Sequence, residues 1–190
     1  DLGIRKIRVT GGEPLLHPRV VELLHELRRL PGMERLMITT NGLRLSTMAT
    51  QLAAAGVDGV NVSLDSLRPE RYRAITRGGD LARCLAGLDA SQQAGLRLKV
   101  NMVVMRGVND DELFDFVGLA HAHRMAVRFI EFMPTRESGQ ESLIVPSDEL
   151  LARIGERMPL AAHPHEPGGL MSGPARNYDL PGGGTVGVIS

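Results

Sequence analysis

One cysteine, Cys84, stands among the 190 residues, so no internal disulfide can form and the chain's own thiols cannot complete a zinc or iron–sulfur site. Tryptophan is absent and aromatic residues reach only 3%, so the stacking platforms used on single-stranded nucleic acid are largely missing. Neither sign of charge is in excess, since 22 basic and 22 acidic side chains leave no net field to hold a polyanion. Nucleic acid is therefore a poor first choice of partner. No apolar run is long enough to span a bilayer, so no membrane segment is expected. Nothing at the start resembles a signal peptide: the first residue is Asp1, and Ile4 to Val9 read as the opening of a strand. The sequence reads as cytoplasmic and as cut from something longer. Lysine is also scarce, with 20 of the 22 basic residues being Arg and only Lys6 and Lys99 remaining. A lysine inside a strand pattern is then not surface filler.

What is present is an ordinary globular composition, 43% apolar and 23% charged, long enough for one domain with a sizeable core. Short β-branched apolar runs recur at Arg5–Thr10, Leu36–Thr40, Gly59–Leu64, Leu98–Val104 and Val127–Phe132. Helical patterns lie between them at Arg19–Leu30, Ser46–Ala55, Pro69–Thr76, Leu81–Ala94 and Asp111–His123. Leu30-Pro31-Gly32 and Ala55-Gly56 are helix stops, and Asn109-Asp110-Asp111 offers caps for the helix that follows. This β–α alternation calls for a parallel sheet. Past Pro134 the pattern loosens to one helix at Ser147–Arg157, a tail rich in Pro and Gly, and a strand-like Thr185–Ile189.

Side chains at i and i+2 share a strand face, which aligns Arg8, Thr10 and Gly12; Thr39 and Asn41; Asn61, Ser63 and Asp65; Lys99 and Asn101; and Glu131 and Met133. Val9, Ile38, Val62, Leu64, Val100, Met102 and Phe132 point the other way and are the candidate core. Helices can cover only the apolar face, so the polar groups need a shared polar ligand or water. A barrel or partial barrel gathers such groups at its C-terminal mouth, and that architecture is preferred over an open doubly wound sheet. The expected organisation is a partial barrel core over residues 1–134 and an incomplete extension over 135–190.

The turn Thr10-Gly11-Gly12-Glu13-Pro14 follows the first strand directly, its glycines admitting close backbone approach and Glu13 able to receive a cationic group. It lacks the spacing of a dinucleotide fingerprint or a Walker loop. Other residues read blandly. His121 and His123 face different ways on a helix, His163 and His165 are solvated loop residues, and Cys84 is a small buried group. Arg68, Arg71, Arg73 and Arg77 form a solvated helix face.

Together with Thr39-Thr40-Asn41-Gly42, Asn61-Val62-Ser63-Leu64-Asp65-Ser66, Lys99-Val100-Asn101 and Arg128-Phe129-Ile130-Glu131-Phe132-Met133, this turn resembles the radical S-adenosylmethionine superfamily. Within it the order and wording of the segments are most similar to the GTP 3′,8-cyclase family of molybdenum cofactor biosynthesis. Tyr72–Thr76 and Gly107–Asp110 support the match, with a weaker echo at Gly173-Pro174-Ala175 and Val186–Ser190. The resemblance implies an α/β fold, a partial (βα) barrel of about five parallel strands with an irregular C-terminal tail. It implies S-adenosylmethionine held by Gly12 and Glu13 at its amino group and by Ser63 and Met133 near its nucleoside. It implies GTP as substrate, its triphosphate contacted by Arg8, Thr39 and Lys99, with Asn41, Asn61, Asp65 and Asn101 behind these ligands.

The same resemblance implies two [4Fe-4S] clusters, each on a cysteine triplet that this sequence does not contain, and the 190 residues alone are expected to be inactive. The intact enzyme would cleave S-adenosylmethionine reductively, abstract the ribose 3′ hydrogen of GTP and join C3′ to C8. Implied partners are a flavodoxin-type electron donor, a downstream cyclic pyranopterin monophosphate synthase and a second copy in a homodimer. Three other readings stay open on the residues: a radical S-adenosylmethionine maturase of a peptide or tetrapyrrole, a barrel aldolase with a Schiff base on Lys99, and a noncatalytic nucleotide-binding module.

Overall fold

The computed structural model describes residues 3–135, 139–164 and 174–190. The expected alternation is present, with β1 (Lys6–Val9), α1 (Val20–Arg28), β2 (Arg35–Thr40), α2 (Leu45–Ala54) and β3 (Gly59–Ser63) followed by α3 (Pro69–Ile75) and α4 (Leu81–Gln93). Then come β4 (Arg97–Val104), α5 (Leu113–Ala122), β5 (Ala126–Glu131) and α6 (Ser147–Gly155). Two compact units result, Asp1–Leu64 with Arg68–Lys99, and Asp65–Leu67 with Val100–Ser190, the division falling inside β4.

In the first unit β1, β2 and β3 are parallel neighbours, with Arg8 opposite Met37 and Thr39 opposite Asn61. Leu36, Ile38, Val60 and Val62 are fully buried, as are Leu45 and Leu52 of α2 and Cys84 and Leu88 of α4. These helices form an apolar layer because their buried residues recur every three to four positions. Asp80 starts α4 by accepting the Arg83 N–H at 3.2 Å, an ordinary N-cap. The two helices meet at a glycine: a Cβ on Gly87 would lie 2.6 Å from the Gly42 carbonyl oxygen and 2.8 Å from Leu45 Cβ. Asp58 fixes the strand entries from below, accepting the Leu36 N–H at 2.8 Å and pairing with Arg28 at 3.1 Å.

In the second unit β5 runs parallel to β8 (Thr185–Ile189), which the sequence marked. The tail also contributes β7 (Arg176–Asp179), antiparallel to β8, and a two-residue β6 (Ala161–Ala162) on β7. These two were not legible, because Arg-Asn-Tyr-Asp carries no apolar alternation and takes its strand form from its hairpin partner. The Asn109-Asp110-Asp111 run does not cap α5 as expected. Asn109 Oδ1 accepts the Met105 N–H and Asp110 Oδ1 the Gly107 N–H, both at 2.7 Å, and α5 starts without a side-chain cap. The tight turn after β4 leaves those amides unpaired, and the nearest side-chain acceptors turn back to them. His163 departs from its solvated reading too: its Nδ1 lies 2.8 Å from Asp179 Oδ1. His165 lies outside the described residues, as does Gly173.

The segment after β3 is clasped inside this unit. The buried Asn109 donates to the carbonyls of Asp65 and Val103 at 2.8 and 2.9 Å, while buried Glu112 accepts the Ser66 hydroxyl at 2.7 Å and the Leu67 N–H at 2.6 Å. Asp65 Oδ1 accepts the Val103 N–H at 2.8 Å. Burial raises the Asp65 pKa above the ordinary carboxylate range, and the Val103 hydrogen bond opposes that rise without cancelling it.

Two outcomes follow. Gly87→Ala improves helix propensity, yet its methyl has no room against the Gly42 backbone, so thermal melting should drop by several degrees, corresponding to about 1–3 kcal/mol. A melting point at or above wild type would contradict this packing. For Asp65 the folded state prefers the protonated acid, so its contribution to stability is greatest below the unfolded pKa and is lost as pH rises through the raised folded value. Asp65→Asn keeps an acceptor for Val103 and removes the charge. Denaturation of this variant should show less stability loss between acid and neutral pH than wild type, and an identical pH profile would refute the assignment.

Candidate functional site

β1, β2 and β3 end in consecutive turns, and the polar residues expected from the sequence lie on one strand face or in these turns. Arg8 is exposed on β1, Thr39 is half-buried on β2, and Ser63 is exposed as the last residue of β3. Gly12 is exposed just beyond β1 and Glu13 is half-buried beside it. Lys99 is 1% exposed on β4, a full burial unusual for its type. All six belong to the first unit. Met133 belongs to the second, two residues past β5, and is 66% exposed.

Thr39, Asn61 and Lys99 form one lateral row. Thr39 is the register partner of Asn61. A Cβ on Gly59 would meet Met37 on one side and the Arg97 carbonyl and Cβ on the other, which puts Asn61 beside Lys99 two residues further along. Asn61 is 1% exposed, and among the described residues no group donates to its buried Oδ1. The same holds for Asn101 Oδ1 on β4. A buried amide oxygen without a donor costs about 1–3 kcal/mol, so each is a place where a water or a ligand donor would be accommodated.

The Gly-Gly-Glu turn is held by its own glutamate. Glu13 Oε1 accepts the Leu15 N–H at 3.0 Å and the Thr40 hydroxyl at 2.6 Å, and Oε2 accepts the Asn41 N–H at 2.7 Å. The Thr40 oxygen in turn accepts the Gly42 N–H at 3.2 Å. One carboxylate thus joins the turn after β1 to the turn after β2. Thr40, 3% exposed and facing the helical layer, is the residue that sequence reasoning passed over in favour of Thr39. The signal was available: alternation buries Thr40, a buried hydroxyl needs a partner, and Glu13 is the nearest acidic residue at a strand end. Gly12 differs from the packing glycines, since a Cβ there would meet no atom within 4 Å and its φ is not positive. Nothing in the fold requires glycine at this position, and its bare backbone is open to close approach by a ligand.

These features fit S-adenosylmethionine: exposed main chain at Gly12 can meet an ammonium group, and the exposed Ser63 hydroxyl can meet a polar edge. They do not fit an iron–sulfur cluster. Cys84 is the sole thiol, it is fully buried in α4, and burial pushes its pKa up to about 11, away from the thiolate that iron requires. Among the described residues no His, Cys, Asp and Glu gather into a metal-holding group. Arg128 on β5, named in the sequence only as part of a motif, is a second interior cation, 3% exposed.

If Glu13 and Thr40 act as this joint, Thr40→Val should lower unfolding free energy by about 1–3 kcal/mol and speed amide exchange at Leu15 and Asn41, whereas Thr40→Ser should resemble wild type. Wild-type stability and exchange in Thr40→Val would remove the joint from the account.

A sequence profile of the Radical SAM superfamily matches residues 1–120. The GTP 3′,8-cyclase of Geobacter sulfurreducens is 48% identical over 194 aligned residues, covering 100% of this chain and 58% of that protein. That of Moorella thermoacetica is 44% identical, covering 99% and 58%. The chain thus spans a little over half the length of the curated relatives it matches. Among solved structures, a domain of pyruvate-formate lyase-activating enzyme from Bacteroides vulgatus superposes with a TM-score of 0.63 at 15% identity, covering 79% of this chain and 90% of that one. Streptococcus suis SuiB bound to S-adenosylmethionine gives 0.61 at 17%, covering 80% and 35%. A radical SAM methyltransferase from Sphaerobacter thermophilus gives 0.62 at 19%, covering 80% and 47%. These likenesses share the α/β fold with mostly parallel strands, and a partial barrel is consistent with them. With a profile over nearly two thirds of its length and the glycine turn, strand order and fold in agreement, this chain belongs to the radical SAM superfamily.

Proposed function

We propose that the complete gene product is a GTP 3′,8-cyclase and that these residues supply its S-adenosylmethionine cradle and its grip on the GTP triphosphate. The carrying observation is the 48% identity along the whole chain to a curated cyclase, joined to a fully buried lysine in the polar row. Membership of the family implies S-adenosylmethionine and a [4Fe-4S] cluster, which when bound supply the one-electron cleavage that starts radical chemistry. This chain's residues hold and orient. Gly12 offers main-chain acceptors to the ammonium group, Ser63 a hydroxyl to the nucleoside side, and Met133 a thioether near the base. Glu13 keeps the Gly12 turn in place through its three hydrogen bonds. Arg8, Thr39 and Lys99 provide the cations and the donor that phosphate oxygens need. A lysine removed from water interacts with phosphate more strongly than an exposed one, because screening is weaker there.

In this reading the product passes to a cyclic pyranopterin monophosphate synthase, a flavodoxin-type protein delivers electrons, and two copies form a dimer. No helix among the described residues is long and apolar enough to cross a membrane. Likeness to the solved structures is one of fold alone, so it does not favour the maturase reading.

Calorimetry on the complete gene product tests the triphosphate assignment. Lys99→Met should weaken GTP binding by about ten- to a hundredfold, the range of a charge-assisted hydrogen bond, and leave S-adenosylmethionine binding unchanged. GTP affinity equal to wild type in a folded Lys99→Met protein would defeat it.

A further inference from the structure

In the second unit β5 ends at Glu131, and Met133 stands two residues further on. Met133 is 66% exposed, so packing holds little of a side chain that the reading above sets against a nucleoside. Its place is set by the chain on either side. Pro134 confines Met133 to extended backbone from one direction, because the proline ring disfavours the helical region for the residue before it. Glu131 acts from the other: its Oε2 accepts the Ser147 N–H, the first amide of α6, at 3.1 Å.

That amide is a firm anchor. α6 buries Leu150 and Ile154 completely, and its first turn is tied down by arginines from elsewhere in the unit. Arg106 donates to both Glu149 oxygens at 3.0 and 2.6 Å, while Arg176 of β7 donates to the Ser147 hydroxyl at 3.2 Å and to Asp148 at 2.6 Å. A helix usually draws its cap from the residue that precedes it, but Pro146 has no side-chain acceptor to offer. The acceptor comes instead from the end of a strand 16 residues earlier, so one hydrogen bond both caps α6 and fastens β5. We propose that Glu131 is a positioning residue for S-adenosylmethionine: by holding the end of β5 to α6 it fixes where Met133 stands against the nucleoside. The inference rests on the assignment of Met133 to that ligand given above.

The test is a double-mutant cycle on the complete gene product, its cluster reconstituted under anaerobic conditions. Calorimetry measures S-adenosylmethionine and GTP separately on wild type, Glu131→Ala, Met133→Ala and the double variant. Glu131→Ala should weaken S-adenosylmethionine by about three- to tenfold, the range of one lost hydrogen bond. GTP affinity should hold, because Arg8, Thr39 and Lys99 belong to the first unit. Once Met133 is truncated there is nothing left for Glu131 to position, so the double variant should bind no more weakly than Met133→Ala alone. Glu131→Gln keeps an acceptor for the Ser147 amide and should restore most of the affinity.

A cap that merely stabilised α6 would give losses that add in the double variant, or that fall on GTP as well, and either result overturns the proposal. So does a folded Glu131→Ala with wild-type affinity for S-adenosylmethionine. In these cases the Met133 assignment survives, provided that Met133→Ala weakens the ligand. Wild-type affinity in Met133→Ala overturns assignment and proposal together. Should Glu131→Ala fail to fold, Ser147→Pro removes the same hydrogen bond from the donor side, at a first helical position where proline is tolerated. Compared with Ser147→Ala, which keeps the amide, it should show the same loss for S-adenosylmethionine, and equal affinities in the two variants overturn the proposal.

Discussion

A half-buried carboxylate in the turn after β1 is the constraint that organises the strand ends of the first unit. Parallel strands finish with amides that have no ladder partner, and each turn must satisfy them locally. Glu13 does so for two turns at once, since Leu15, Thr40 and Asn41 all donate to it. The charge is thereby committed to the chain's own donors before any ligand arrives. A preformed turn loses less conformational entropy when a ligand binds, which would strengthen the main-chain contacts proposed for Gly12. The role expected of Glu13, meeting a cationic ligand directly, is thus joined by a positioning role that the hydrogen bonds show.

The strand faces were legible because the side-chain period of two leaves little freedom. Val60 and Val62 fall on one side and Asn61 and Ser63 on the other, and the burial of the valines follows from helices covering that side. Helix positions were legible for the same reason, since Leu45, Ala49 and Leu52 recur at helical spacing. What was illegible depends on partners distant in sequence. Arg176–Asp179 becomes a strand only against Thr185–Ile189, and His163 acquires Asp179 only once that hairpin exists. Asn109 looks like a helix cap in one dimension, yet in three it closes the turn after β4 and holds the carbonyl of Asp65, 44 residues away.

At the site, the kind of residue was readable and the depth was not. Sequence singled out Lys99 for its rarity, and burial at 1% is a property of β4's position in the fold. Thr39 and Thr40 are adjacent and chemically identical, so only the alternation of faces separates a residue in the polar row from one bound to Glu13. Glycines divide in a similar way. Gly42 and Gly87 are required by packing, since added methyl groups would strike Cys84 and the Gly42 carbonyl respectively. A Cβ on Gly12 would meet nothing within 4 Å, as on Gly118 and Gly155, so packing does not account for glycine there.

The polar row also carries an energetic implication. Interior ions and amides are more costly to bury than the leucine or methionine that could replace them, and such replacements are often neutral or stabilising. Asn61 in the first unit, its Oδ1 buried without a donor among the described residues, is a case of this kind. The first unit tolerates this because its other face is continuous hydrocarbon, from Leu36, Ile38, Val60 and Val62 to Leu45, Leu52 and Leu88. Apolar burial is concentrated on one side of the sheet, and the buried polar groups Asn61 and Lys99 lie on the other. A ligand that donated a hydrogen bond to such a buried acceptor would recover on binding part of that cost, and would thereby couple the unit's stability to its occupancy.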